Sequence, residues 1–181
     1  MTLLEQFLAY IGHELGYSRL TVAAYRSDLT QWANDATGGC PEALDPMSVT
    51  ASDLRVWIGD VARKGVSPRT IRRKIATLRA FYRFLMRHHG LKSSPASMLT
   101  LPKTPKPIPV YVRQSETQSI LDMPVPADDF VSVRDRLVLD IFYTTGLRCS
   151  ELMALRDVDV DTVHGELKVV GKRNKERVVP F

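Results

Sequence analysis

Arg148 stands two residues beyond a glycine in Thr144-Thr145-Gly146-Leu147-Arg148-Cys149-Ser150-Glu151-Leu152. A glycine that stops a helix lets the side chains after it point off a rigid element, and a guanidinium held there can grip a phosphate through two N–H groups. The same arginine serves a structural salt bridge equally well, with Glu151 three residues on as its partner. Downstream, Leu167-Lys168-Val169 and Val178-Val179 flank Gly171-Lys172-Arg173-Asn174-Lys175, a pattern that reads as a β-hairpin with a basic tip. A lysine crowded by other cations gives up its proton more readily, so Lys172 has the chemistry to protonate a leaving oxygen. Hairpin tips are also basic for solubility alone, and Arg173, Lys175 and Arg177 can each simply touch phosphate backbone.

The other charged feature lies upstream. Residues 1–100 carry 13 Lys and Arg against 8 Asp and Glu, whereas residues 101–181 carry 12 of each, so the whole net charge of +5 belongs to the first half. No acidic residue occurs from Val61 to Ser115, while Arg63, Lys64, Arg69, Arg72, Arg73, Lys74, Arg79, Arg83, Arg87 and Lys92 crowd the first part of that stretch. Arg72, Arg79, Arg83 and Arg87 recur at intervals of seven, four and four. On a helix they form one stripe beside the apolar stripe of Ile71, Ile75, Leu78, Tyr82 and Leu85. A cationic face on a helix about 30 Å long suits the major groove and its phosphate rims. The nucleic-acid contacts expected are Arg69, Arg72, Arg73, Lys74, Arg79 and Arg83, with Arg173 and Lys175 at the hairpin; Ser18, Arg19 and Arg26 are further candidates.

The elements that must position these groups are mainly helical. Leu4, Leu8, Ile11 and Leu15 form one helical stripe, and Val22, Tyr25, Leu29 and Trp32 form a second after Ser18. Thr50 with Asp53 caps a third helix through Leu54, Ile58 and Val61. Ser67-Pro68 opens the long fourth helix and Gly90 ends it. From Lys92 to Pro109 the prolines at 95, 102, 105, 107 and 109 predict an extended linker. Beyond it, Gln114–Asp122 reads as a short helix. Ser132 with Asp135 reads as the cap of an apolar helix, Leu137–Tyr143, buried on most sides as the core of a second domain.

Composition excludes several classes. No apolar run approaches the roughly 20 residues of a membrane-spanning helix, and no basic stretch followed by an apolar core opens the chain, so a cytoplasmic protein with no membrane partner is expected. Cys40 and Cys149 are too few for a disulfide framework, and the four histidines lack metal-ligand spacing with them; no metal is expected.

The order of the blocks carries more than any one of them. Ser18-x-x-Thr21-x-x-x-Tyr25-x-x-Asp28-Leu29-x-x-Trp32 comes first, then Ser67-x-x-Thr70 leading to Leu78-Arg79-x-Phe81-Tyr82-x-Phe84-Leu85, then Pro95 and Pro102-Lys103, and last TGLRCSEL and GKRNKERVVP. In this order, over essentially the whole chain, they resemble the tyrosine site-specific recombinases, closest to the bacterial Xer group. The resemblance implies a four-helix, SAM-like core-binding domain over residues 1–92, a Pro-rich linker over 93–110, and the first part of an α+β catalytic domain over 111–181. It implies DNA strand exchange through a 3′-phosphotyrosyl link, with no metal or nucleotide cofactor. Arg148 matches the first catalytic arginine, Lys172 the hairpin lysine that protonates the 5′-oxygen, and Glu151 a buried carboxylate that steadies the site.

That family's His-x-x-Arg segment, a further His or Trp and the nucleophilic tyrosine have no counterpart in these residues. The expectation is therefore a chain that binds duplex DNA without cleaving it. It is expected to be monomeric without DNA, and the parent protein tetrameric at synapsis, with or without a second recombinase. Two other readings compete: a non-catalytic DNA-binding regulator or accessory protein, and a protein-interaction module whose basic face is incidental.

Overall fold

The computed structural model of the chain describes residues 1–104, 108, 110–171 and 175–181. They fall into two compact units, Met1–Pro107 and Ile108–Phe181. The first is helical and the second mixes helices with an antiparallel sheet.

In the first unit, α1 (Leu3–Ala9) widens into a π-helical turn, Tyr10–Glu14, and is followed by α2 (Arg19–Thr37), α3 (Ala51–Arg63) and α4 (Pro68–His88). The starts follow from local chemistry. Ser18 Oγ accepts the Thr21 N–H at 3.2 Å, and Ser67 Oγ accepts that of Thr70 at 3.3 Å with Pro68 as the first helical residue. Thr50 and Asp53 form a reciprocal capping box, so the first N–H groups of α3 find acceptors. Each helix then turns its apolar stripe inward. Phe7, Leu29, Trp32, Leu54, Val61, Ile75, Leu78, Phe81, Tyr82 and Leu85 are buried in one core, each apolar side chain there contributing about 1.5–3 kcal/mol. Phe81 meets Phe7 edge-on at 5.4 Å and Trp32 at 6.1 Å, which ties α1 and α2 to the middle of α4.

One polar cluster lies within this core. Asp28 on α2 is buried; its Oδ1 accepts from Lys74 Nζ at 2.9 Å, and its Oδ2 accepts from Arg73 Nη1 and from Thr77 Oγ1. Lys74 also donates to Gln31 Oε1 at 2.7 Å and sits 5.7 Å from the Trp57 ring centre. These bonds fix α2 against α4 by direction as well as by shape.

The Pro-rich stretch departs from a plain linker. Residues Pro95–Met98 form a 3-10 turn whose Ala96, with Leu99 after it, is buried in the helical core. Arg79 donates from Nη2 to the Leu99 carbonyl at 2.7 Å and from Nε to that of Ala96 at 3.3 Å, and Arg72 Nη1 donates to the Pro102 carbonyl at 3.1 Å. Two apolar residues and three backbone acceptors thus fasten residues 95–102 to α4, so that part of the 93–110 stretch belongs to the first unit.

The second unit contains α5 (Gln114–Leu121), α6 (Phe130–Thr145), α7 (Cys149–Met153) and three strands, β1 (Val160–Asp161), β2 (Glu166–Val170) and β3 (Glu176–Pro180), in sheet order β1-β2-β3. β2 and β3 are antiparallel, with Leu167 opposite Val179 and Val169 opposite Arg177. Leu147, Leu167 and Val169 form its core, with Ile141, Phe142, Leu155, Val160 and Val179 against them. α6 begins three residues earlier than the Ser132 cap predicts, because Asp129 accepts the Val131 N–H and the Ser132 hydroxyl. Its apolar run is not buried on most sides: Ile141 and Phe142 pack, while Leu137, Leu139 and Tyr143 are exposed. The small sheet and the turn before α7 reach only one side of this helix.

A candidate DNA face and phosphate site

The surface of α4 divides the expected DNA contacts. Lys74 does not belong among them: it is 4% exposed and held by Asp28 and Gln31, because it falls on the same helical stripe as Ile71 and Leu78. Arg79 is likewise turned to the 95–99 backbone and half-buried. Arg73 gives one nitrogen to Asp28 and the Ala24 carbonyl, with 42% of its side chain exposed, and Arg72 gives one to Pro102. Arg69, Arg83 and Arg87 are exposed. Together with Arg73 they flank the exposed Ala76 along one helix face, while Ala80 on that face is half-buried against the core. On α2, Arg19 and Arg26 are exposed and Ser18 is spent as a cap.

In the second unit, α6 stops at Gly146, whose φ of 61° is one that glycine adopts without strain. Leu147 turns into the core and Arg148 becomes the N-cap of α7. Arg148 N–H donates to Glu151 Oε2 at 2.8 Å and its Nη1 to Oε1 at 2.7 Å; the arginine side chain is 64% exposed and the glutamate 2%. Arg177 on β3 then donates Nη1 to Oε1 at 3.0 Å and Nη2 to Oε2 at 2.9 Å. The Arg148 backbone N–H, followed by the two guanidiniums, holds the Glu151 carboxyl below its ordinary value. Arg148 is thus salt-bridged, while most of its side chain still faces solvent.

Strand alternation explains Arg177, for which the sequence alone suggests only a phosphate contact. Leu167 and Val169 point inward on β2, and the register places Arg177 and Val179 on that same face of β3. Gly171 closes the base of the hairpin, donating to the Lys175 carbonyl at 2.8 Å. A Cβ there would stand 3.3 Å from Glu151 Oε1. Lys175 is exposed. Lys172 and Arg173 lie outside the described residues.

Two of the tyrosines, Tyr25 and Tyr82, pack in the helical unit. Tyr82 is fully buried and donates to the Pro46 carbonyl, and burial raises its pKa well above the ordinary phenol value; burial also raises that of Tyr25. Among the described residues no group of three His, Cys, Asp or Glu side chains is placed to hold a metal ion, and no helix is long and apolar enough to cross a membrane.

The chain thus combines a helical unit bearing a cationic helix face with a second unit that holds a glycine-stopped helix, an exposed arginine on a buried glutamate and a β-hairpin. The model of the phage integrase N-terminal SAM-like domain matches residues 4–89 and that of the phage integrase family matches residues 111–181. The chain belongs to this family, among the tyrosine recombinases. It is 38% identical to the tyrosine recombinase XerC of Chlorobaculum parvum over 98% of this chain and 59% of that protein. It spans about three fifths of the length of the curated relatives it matches. Its fold is similar to that of the Tn1549 transposon integrase in complex with circular intermediate DNA (TM-score 0.66, 21% identity, 100% of this chain and 61% of that one). It is also similar to a lambda integrase tetramer bound to a Holliday junction (TM-score 0.67, 16% identity, 98% of this chain and 49% of that one).

Proposed function

We propose that this chain supplies the duplex-DNA-binding unit and the first part of the catalytic unit of a site-specific tyrosine recombinase. The observation that carries the reading is the outer face of α4, where Arg69, Arg83 and Arg87 are exposed beside Ala76, and Arg73, paired with Asp28 through one nitrogen, is part exposed, in a stretch of sequence that contributes no carboxylate of its own. Such a face attracts phosphates. On the second unit, Arg148 binds the scissile phosphate and stabilises the charge that grows on its non-bridging oxygens as a tyrosine oxygen attacks phosphorus. Lys172 protonates the departing 5′-oxygen, and Lys175 with Arg173 meets neighbouring phosphates. The assignments of Arg148 and Lys172 rest on their match to the family's motif positions.

We read none of the tyrosines here as the nucleophile, and on that reading the 181-residue chain binds without cleaving. Recombination in the cytoplasm then belongs to the parent protein, acting as four copies at synapsis with or without a second recombinase, while this chain alone is monomeric. The support for four copies is the tetrameric lambda integrase of similar fold.

Duplex affinity measured against salt tests the reading. Replacing Arg69, Arg83 and Arg87 by alanine is expected to reduce the slope of log K on log salt by about 2.7, about 0.9 for each phosphate no longer neutralised. An unchanged slope would remove α4 from the interface. A nicked suicide duplex should yield no covalent adduct, and an adduct would overturn the non-cleaving reading.

A further inference from the structure

Glu151 carries more bonds than capping α7 requires. Two guanidiniums reach its carboxylate, that of Arg148 from the turn on Oε1 and that of Arg177 from β3 on both oxygens, in addition to the Arg148 backbone N–H on Oε2. Two positive charges on one carboxylate leave the cluster with a single net positive charge. Without Arg177, the glutamate would cancel the only guanidinium left to it, and an approaching anion would meet a neutral pair. Side-chain exposure agrees with this division: Arg148 is 64% exposed, and Arg177, at 39%, is bidentate on the acid. Gly171 lies close to the same cluster: a Cβ there would stand 3.3 Å from Glu151 Oε1, so that oxygen would have to shift by a few tenths of an ångström.

We propose that Arg177 is a positioning residue: by engaging Glu151 from the strand side, it leaves Arg148 with charge to offer a DNA phosphate. This rests on the reading of Arg148 as a phosphate contact. It assigns Arg177 an electrostatic task at the site, separate from any direct contact of its own with DNA, and it makes the base of the hairpin and the catalytic arginine parts of one ion cluster. The coupling is local, since every group lies within hydrogen-bond distance of one buried carboxylate.

Duplex affinity as a function of salt, measured on the full 181-residue chain, tests it through a set of variants. R148A is expected to lower the slope by about 0.9, the share of one phosphate. R177Q should lower it by the same amount although Arg148 is still present, and R148A/R177Q should lower it no further than R148A alone. E151Q/R177Q removes one charge of each sign and should return the slope to that of the unmodified chain, as should R177K, which keeps the charge. A merely structural role for Arg177 predicts no rescue by the charge-balanced pair.

An unmodified slope in R177Q overturns the proposal. So does a slope lower by about 1.8 in R148A/R177Q, the share of two phosphates, which would make Arg177 a phosphate ligand itself. If R148A leaves the slope unchanged, the phosphate reading of Arg148 falls and takes this one with it. A shallower R148A beside an unchanged R177Q sinks only the role of Arg177. Should R177Q unfold the second unit, seen as a loss of amide protection at Val169, E151Q/R177Q decides: a shallow slope in that folded variant overturns the proposal.

Discussion

Replacing Asp28 by asparagine tests how the helical unit is held together. The carboxylate accepts from Lys74, Arg73 and Thr77, and the side chains of Asp28 and Lys74 are 2% and 5% exposed, so water cannot take over either charge. Removing one partner of a buried pair costs about 3–5 kcal/mol because the other charge is left uncompensated. Gln31 still accepts from Lys74 and the Trp57 ring still lies beside it, which places the expected loss near the lower end, about 3 kcal/mol. The bond from Arg73 adds little, since that side chain is 42% exposed and screened.

Urea unfolding followed by tryptophan fluorescence reads this unit alone, because both tryptophans of the chain, Trp32 and Trp57, lie in its core. D28N should lower the midpoint without changing the m-value, and lower Tm by roughly 10–20 °C. The loss should persist in high salt, since a buried pair is poorly screened. The double variant D28N/K74M should recover most of it, because an apolar side chain needs no counter-charge. A D28N cost below about 1 kcal/mol, or a double variant no better than the single, would refute the reasoning.

Three further outcomes are expected. R79A removes two hydrogen bonds to the Ala96 and Leu99 carbonyls, worth about 1 kcal/mol each, and should speed proteolysis within residues 95–102 while leaving the salt slope of DNA binding unchanged; a drop in slope like that of R83A would return Arg79 to the DNA face. The depressed pKa of Glu151 contributes stability to the second unit that is complete above its ordinary value of 4.5 and is lost as pH falls through the lower, folded value. The urea midpoint followed by the Leu167 and Val169 methyl signals should therefore fall below pH 4.5, and E151Q should flatten that fall. L147A should cost the second unit about 2–5 kcal/mol by emptying its small core, with the tryptophan transition unmoved; a shifted tryptophan transition would contradict the independence of the two cores.

Much of the first unit was legible because its signals are local. Ser18, Thr50 and Ser67 cap the helices that follow them, and the stripes of Leu29 and Trp32 or of Ile75 and Leu78 need only the helical period. Charge alone places Lys74 on the DNA face, whereas the same helical period places it in the core, where it is buried. Lys74 stands three residues after Ile71 and four before Leu78, and Asp28 stands within the Tyr25–Trp32 stripe. Opposite charges on two facing apolar stripes signal a buried pair. Arg79 offered no such clue, since its partners are backbone carbonyls 17 and 20 residues away, chosen by tertiary packing. In the second unit, Arg148 and Glu151 could be paired from their spacing alone. Assigning Arg177 required the strand register, which depends on where the hairpin turns. The exposed side of α6 was illegible because an apolar run shows hydrophobicity without showing how many neighbours surround it.

The segment after α4 folds back along the helix it has just left. Arg79, near the helix middle, holds Ala96 and Leu99, and Arg72, one turn from its start, holds Pro102. The chain therefore departs beside the beginning of α4 rather than its end, and two side chains index that point of departure to the helix axis. Fraying or extension at the His88 end would leave the exit where it is, whereas a change of register at Arg72 or Arg79 would move it by whole turns. The tether is gauged against the helix by these two arginines, much as a rule is read from a fixed mark.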